Sequence, residues 1–338
     1  MKQIEFSTVG APQDVVRYAN VEAPGDPGPG EVLVKVLAFP INPADLLAMQ
    51  GIYPRLDPST KAIGNEAVGE ILAVGEEVDG FAPGNRVILL ALNNWRQYRR
   101  VGARDVIKVS AEGDVLQQAG LKVNPATAWL LLRDFVELKT GDWIIQSAAN
   151  SAVSRATIQL ARLAGIRTVN IVRRPGVMDE LAALGGDVVL LDGSDLPARV
   201  QAATGGAAIV LGIDSVGGPA TDRIASCLSA GATLVVYGGM SGAPCSISPG
   251  TVVFNDLRIR GLWLSKYLMN APHDVIELLY GRLDELTTAG RLKTRIDSIF
   301  RAEDIKSAVG RASEAGIDGK VIVRFDELTV AEKARQVS

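Results

Sequence analysis

With a single histidine, His273, and only two cysteines, Cys227 and Cys245, the 338-residue chain is short of the side chains that hold transition metals. A catalytic zinc draws three protein ligands from Cys, His, Asp and Glu, and a thiolate-type structural zinc takes four cysteines, so neither centre can be assembled. The same scarcity leaves a Ser/His/Asp or Cys/His nucleophilic site dependent on His273. That residue follows Ala271 and Pro272 at an expected helix start and reads as a surface or capping residue. Two cysteines make no disulfide framework; Cys227, inside a helical pattern, reads as a small buried thiol, and a reducing compartment fits. A formal charge of −3 offers no field for a nucleic-acid backbone. No run of ~18 apolar residues is present, so no helical membrane span is expected. The opening residues Met1–Gly10 lack an apolar signal core and an Arg/Ser-rich transit character. A cytoplasmic protein is the simplest reading, with a matured organellar form left open.

What is present is a globular composition, 47% hydrophobic and 22% charged, with 35 glycines. The length exceeds the roughly 250–300 residues beyond which one core usually divides, so two domains are expected. Short β-type runs, Val32–Leu37, Ala67–Val74 and Arg86–Leu90, are separated by the turns Pro27-Gly-Pro-Gly30 and Pro83-Gly84, which makes the first part all-β in character. From Val123 the rhythm changes. Strand patterns at Trp143–Ser147, Thr168–Val172, Val188–Leu191, Ile209–Asp214, Thr233–Tyr237 and Ile259–Leu264 alternate with helical patterns at 152–164, 177–184, 195–203 and 219–229. Such alternation predicts an α/β unit with a doubly wound parallel sheet of six strands. Beyond 270 the pattern breaks: a helix over Asp274–Ala289, the segment Lys293–Phe300, a helix over Ala302–Glu314 and a strand over Lys320–Phe325. The expected division is 1–122 with 270–338 against 123–269. Residues 327–338 are polar, with no core-facing pattern.

The run Trp143–Ser147 leads through Ala148-Ala-Asn-Ser-Ala-Val-Ser154 into a helical pattern, the context in which a pyrophosphate sits on the amides of a helix N-terminus. The fingerprint's glycines are missing, with Ala152 and Ser154 the clearest replacements, and the loop alone supports an ordinary turn as well as a cofactor site. The next strand ends in Arg173-Arg174-Pro175, about twenty residues on, where NAD enzymes place an acid for the ribose. Two guanidinium groups there suit a 2′-phosphate, favouring NADPH over a solvated basic turn. Ser215–Gly218 and Tyr237–Ser241 follow two further strand ends, where backbone can approach a ligand.

Taken together, these residues resemble the medium-chain dehydrogenase/reductase superfamily along essentially the whole chain. The shared segments are Asn42-Pro-Ala-Asp45, Gly64-Asn-Glu-Ala-Val-Gly69, Val78–Val87 and Lys139-Thr-Gly-Asp142. In zinc alcohol dehydrogenases a Cys and a His would stand where this chain has Asn42 and Asn65. Gln50-Gly-Ile-Tyr53, Asn94-Trp-Arg96, Val123–Ala128, Asn150–Val153, Tyr237-Gly-Gly-Met240 and Gly261–Ser265 are similar to the mitochondrial trans-2-enoyl-thioester reductases and their bacterial relatives.

That resemblance implies a GroES-like β-rich catalytic domain beside a Rossmann-type domain, without zinc. It implies NADPH-dependent reduction of the carbon–carbon double bond of an enoyl thioester carried on coenzyme A or acyl carrier protein. By resemblance Tyr53 is the proton donor, its alternative being a loop anchor, and Trp263 shapes the acyl or nicotinamide pocket. Cofactor contacts are implied at Asn42, Asn124, Thr127, Asn150, Ser151, Ala152, Val153, Arg173, Arg174, Tyr237, Gly238, Gly239, Met240, Leu262, Trp263, Leu264, Ser265 and Lys320. A homodimer through the sheet edge around Ile259–Leu264 is also implied. The alternatives are a zinc-independent quinone or enone oxidoreductase on the same fold, and a non-enzymatic NADPH-binding protein.

Overall fold

The computed structural model describes residues 1–54 and 60–326. The chain forms two compact units, Met1–Val123 with the segment from Pro272 onward, and Asn124–Ala271.

In the first unit the long strand Glu31–Pro40 is the centre of a seven-stranded sheet. Its alternating side chains put Val32, Val34 and Val36 at 0% exposure on one face, the period-two signature of a strand that covers a core. Val68–Val74 pairs antiparallel with it and leads outward to Arg86–Leu89 and Val106–Lys108. Tyr98–Gly102 joins its N-terminal half, and Lys320–Arg324 its C-terminal end. That last strand is buried from Lys320 to Val323, so the chain's late segment completes a sheet begun near its start. The segment expected over Lys293–Phe300 is a strand at Ile296–Arg301, parallel to Lys320–Arg324. Trp95 stacks on Phe39 at 5.1 Å beneath the sheet.

The second unit is a single parallel sheet. Its strands are β1 (Trp143–Gln146), β2 (Arg167–Val172), β3 (Val188–Leu191), β4 (Ile209–Asp214), β5 (Thr233–Val236) and β6 (Arg258–Gly261). Their spatial order is β3-β2-β1-β4-β5-β6. This is the doubly wound order, and it reverses between β1 and β4, where ligands meet the carboxyl ends of the strands. The helices Ala152–Leu163, Met178–Leu184, Leu196–Thr204, Pro219–Ala225 and Pro249–Phe254 lie in the five crossovers.

The last strand is shorter than the pattern Ile259–Leu264 suggests. β5 ends at Val236, whose carbonyl takes a final bond from the Leu262 amide, so no partner remains for a longer β6. Trp263 instead precedes a helix, Leu264–Asn270. Among the described residues, no helix is long and apolar enough to cross a membrane.

Candidate active site

In the second unit the carboxyl ends of β1, β4 and β5 carry three loops knitted to one another. Asp214, fully buried at the end of β4, does most of this. One of its oxygens accepts from the Ser147 hydroxyl at 2.7 Å and the Val216 amide at 2.9 Å, the other from the Thr221 hydroxyl at 2.7 Å and the Gly217 amide at 3.2 Å. The Ser147 hydroxyl in turn accepts from the Ser215 amide at 3.0 Å. From the β5 loop, Met240 and Ser241 donate backbone bonds to the carbonyls of Ser215 and Val216. A charged acceptor with every lone-pair direction engaged is among the stronger ways to hold loop backbone still.

The glycine-poor loop after β1 is closed by serines. Ser151 caps the helix Ala152–Leu163, accepting from the Ser154 amide at 3.2 Å. Ser154 is buried, and its hydroxyl donates back to the Ser147 carbonyl at 3.3 Å. The side chain that replaces a glycine at this close helix–strand approach thus fits by bonding to the strand. The amides at the start of a helix have no intrahelical carbonyl, and together with the helix dipole they favour an anion. Tyr237 places its hydroxyl, buried and outside bonding geometry, beside Ser215, Ser154 and Ser151. Burial pushes its pKa up, and those hydroxyls pull the other way. Asn150 lies on the same loop, Ala152 and Val153 open the helix that follows it, and Gly238, Gly239 and Met240 form the exposed tip beyond Tyr237. Arg173 and Arg174 are exposed, directly after β2. Asn124 and Thr127 are buried in the helix Asn124–Arg133. Trp263, at 39% exposure, precedes the helix that contains Leu264 and Ser265, and Leu262 is tied to β5.

In the first unit the structure brings Asn42 and Lys320 into one buried cluster with Asp45, Asn65, Glu66 and Lys122. The Asn42 side-chain amide donates to Glu66 at 2.7 Å, and its oxygen accepts from the Lys320 ammonium. Asp45 accepts from the Asn42 amide at 2.8 Å and from the Asn65 side chain at 2.8 Å. Glu66 also accepts from the Val123 amide at 2.8 Å. Lys122 donates to the carbonyls of Asn65 at 2.5 Å and Ala91 at 3.2 Å.

Burial disfavours every charge in this cluster. It raises Asp45 to about 7, and it raises Glu66 against the pull of Lys320. It lowers Lys122 to about 8, and it lowers Lys320 while Glu66 and Asp45 oppose the change.

The cluster also sets the backbone that leads to Tyr53. Asn42 and Asp45 form a reciprocal capping box at the head of the helix Pro43–Met49. Gly51, at φ +73°, ends that helix in the left-handed conformation glycine takes most readily. The amides of Ile52 and Tyr53 then both donate to the Leu47 carbonyl, at 2.9 and 3.1 Å, and Tyr53 emerges half-buried.

Residues 152–280 match the zinc-binding dehydrogenase family, and residues 28–116 match the alcohol dehydrogenase GroES-like domain. These two matches and the two folds define the class as a medium-chain dehydrogenase/reductase. The chain is 34% identical to the mitochondrial enoyl-[acyl-carrier-protein] reductase of Schizosaccharomyces pombe over 316 residues, 87% of this chain and 84% of that one. Among solved structures, the Etr1p/NADP/crotonyl-CoA complex superposes with a TM-score of 0.86 at 25% identity, covering 96% of this chain and 99% of the other. A Bacillus thuringiensis protein assigned to the NADPH:quinone reductases gives 0.88 at 27% identity, again over 96% and 99%. The chain therefore belongs to the medium-chain dehydrogenase/reductase superfamily, in the family of the enoyl-[acyl-carrier-protein] reductases.

Two consequences follow. The expectation of a cytoplasmic protein is corrected, because the curated relatives are named mitochondrial. That expectation rested on the composition of the first ten residues alone, which carries no information about the fold. Second, the family's zinc does not fit this chain. Where a Cys and a His would bind the metal, the amides of Asn42 and Asn65 are engaged with Glu66 and Asp45, and two ammonium groups already stand beside those carboxylates. No group of three or more His, Cys, Asp or Glu among the described residues could hold a metal ion.

Asp214, Lys122 and Arg155 belong to no motif of the sequence. Asp214 had a visible signal, a carboxylate closing an apolar strand run. Lys122, between Leu121 and Val123, had none, because nothing local says that a lysine there is only 5% exposed.

Proposed function

We propose that this chain reduces the carbon–carbon double bond of a trans-2-enoyl thioester, on coenzyme A or acyl carrier protein, with NADPH. The observation that carries this reading is the 34% identity to an enoyl-[acyl-carrier-protein] reductase along 84% of that enzyme. The second unit fits the cofactor. The helix start at Ser151–Val153 suits the pyrophosphate, the exposed pair Arg173 and Arg174 suits a 2′-phosphate, and the backbone of Tyr237–Met240 and Leu262–Ser265, with Asn124 and Thr127, would hold the rest. When bound, NADPH would supply the hydride for the β-carbon of the substrate.

Tyr53 delivers the proton to the α-carbon, since a phenol still carries its proton at neutral pH and can act as a general acid. Asn42 and Lys320 act from within their buried cluster, Asn42 as the cap of the helix that leads to Tyr53. Trp263 bounds the pocket for the acyl chain or nicotinamide.

A homodimer through the outer edge of β6 is supported by the exposure of all four residues of that strand and by Val253, Phe254 and Ile259 at 70%, 86% and 48% exposure. An uncovered strand edge with apolar neighbours is a ready pairing surface.

The quinone-reductase reading keeps its place because of the Bacillus thuringiensis likeness. NADPH oxidation should be followed at steady state with crotonyl and longer enoyl thioesters and, in parallel, with quinones. Higher kcat/KM on the thioesters supports the proposal. Turnover of quinones alone overturns it, and NADPH binding with no turnover of either points to a non-enzymatic role.

A further inference from the structure

The loop between β1 and its helix contains a left-handed residue that is not glycine. Ala148 sits at φ +45°, where its Cβ crowds the following carbonyl. Backbone bonds hold the loop at either side, from Ser151 to the Ala148 carbonyl at 2.8 Å and from Ala149 to Ile171 on β2 at 3.0 Å.

Besides the serine bonds at the helix start, a buried charged side chain braces the loop. Arg155, in the first turn of the helix Ala152–Leu163 and only 5% exposed, donates from Nε to the Asn150 carbonyl at 3.1 Å. Its two terminal nitrogens grip the Glu180 carboxylate at 2.5 and 3.2 Å. Glu180 belongs to the helix Met178–Leu184, which follows β2. Only a guanidinium can give one N–H to a carbonyl and a parallel fork to a carboxylate at the same time.

We infer that Arg155 is a positioning residue for the dinucleotide: through the Asn150 carbonyl it keeps the strained, glycine-poor loop in the shape that presents the helix-start amides, with Glu180 fixing its guanidinium. The inference rests on the reading of this loop as the pyrophosphate site.

The test compares wild type, Arg155→Gln, Arg155→Lys and the exchange Arg155→Glu/Glu180→Arg. NADPH affinity is read by fluorescence titration, Tm by calorimetry, and KM for NADPH against kcat at steady state. Loss of the charge-assisted bond to the Asn150 carbonyl, together with the fork to Glu180, should raise Kd and KM for NADPH about tenfold in Arg155→Gln. Because the residue acts on binding alone, kcat at saturating NADPH should stay within about twofold. Ala148→Gly in that background should recover affinity, since glycine takes positive φ without crowding. The exchange should recover Tm but not affinity, because a carboxylate cannot donate to the Asn150 carbonyl. If Arg155→Gln yields no folded protein, Arg155→Lys, which keeps a charge for Glu180 but has no fork, should show the same rise in Kd. Unchanged NADPH affinity in the folded variants, or an exchange that restores affinity together with Tm, overturns the inference. A wild-type protein that binds no NADPH overturns the cofactor reading beneath it, a result visible before any variant is made.

Discussion

Asn42 and Glu66, 24 residues apart in sequence, meet in a buried 2.7 Å hydrogen bond, and Lys320 reaches the other side of the same Asn42 amide from 278 residues away. Both carboxylates of this cluster, Glu66 and Asp45, are at 0% exposure, so its ammonium groups are what make their ionised forms tolerable. Lys320→Met removes a cation and leaves carboxylates behind. A loss of about 3–5 kcal/mol in urea unfolding is expected, as for other buried pairs broken on one side. Adding Glu66→Gln should return part of it; a Lys320→Met protein as stable as wild type would show that the cluster is not held by charge.

The same cluster makes stability depend on pH with a definite sign. Asp45 titrates near 7 in the folded chain against an ordinary 3.8, so between those values the native state binds more protons than the unfolded one. Stability should fall as pH rises from about 4 to about 7. Lys122, lowered to about 8 from 10.5, has the opposite effect: above pH 8 the native state binds fewer protons and stability is regained. The difference in unfolding free energy between wild type and Asp45→Asn, measured in urea across pH 4 to 7, should therefore shrink steadily. A difference that grew would place the Asp45 pKa on the other side of its ordinary value.

If Tyr53 is the proton donor, Tyr53→Phe removes one hydroxyl and little else. A fall of roughly 10²–10⁴ in kcat on a crotonyl thioester is expected, the range general acids supply. Tm should stay close to wild type. Unchanged turnover would return Tyr53 to the role of loop anchor.

If Arg173 and Arg174 hold the 2′-phosphate, their removal should bear on the cofactor alone. Replacing both by alanine should raise KM for NADPH at least about tenfold and leave KM for NADH nearly unmoved, since each charged hydrogen bond contributes about 1.5–3 kcal/mol. Equal effects on the two cofactors would remove the 2′-phosphate from their role.

Gly64 opens the turn that carries Asn65 and Glu66. It sits at φ +114°, and a Cβ there would lie 2.2 Å from the Trp95 ring. Gly64→Ala should be severely destabilising through both strain and overpacking, above the roughly 1–3 kcal/mol of an ordinary overpacked core. Soluble expression and Tm measure it.

Much of the second unit was legible in the sequence because its signals are local. A strand such as Val188–Leu191 shows as an apolar run between turn residues, and six of them alternating with helical periods have few other solutions. The end of β6 is not legible in the sequence, because Leu262–Leu264 is as apolar as a strand should be; what stops it is that β5 has run out, which no local pattern records. The serines of the β1 loop were visible as missing glycines. Their compensation, the Ser154 bond to Ser147 and the Arg155 bond to Asn150, was not.

The sequence by itself determined the parallel sheet, the positions of its loops and the scarcity of cysteine and histidine, since periodicity, turn chemistry and a residue count are properties of neighbours and of composition. Only the tertiary structure decided that Asn42, Asp45, Asn65, Glu66, Lys122 and Lys320 share one buried cluster. A charge becomes costly or compensated only when folding removes its water and supplies a partner, and here the partners come from distant parts of the chain.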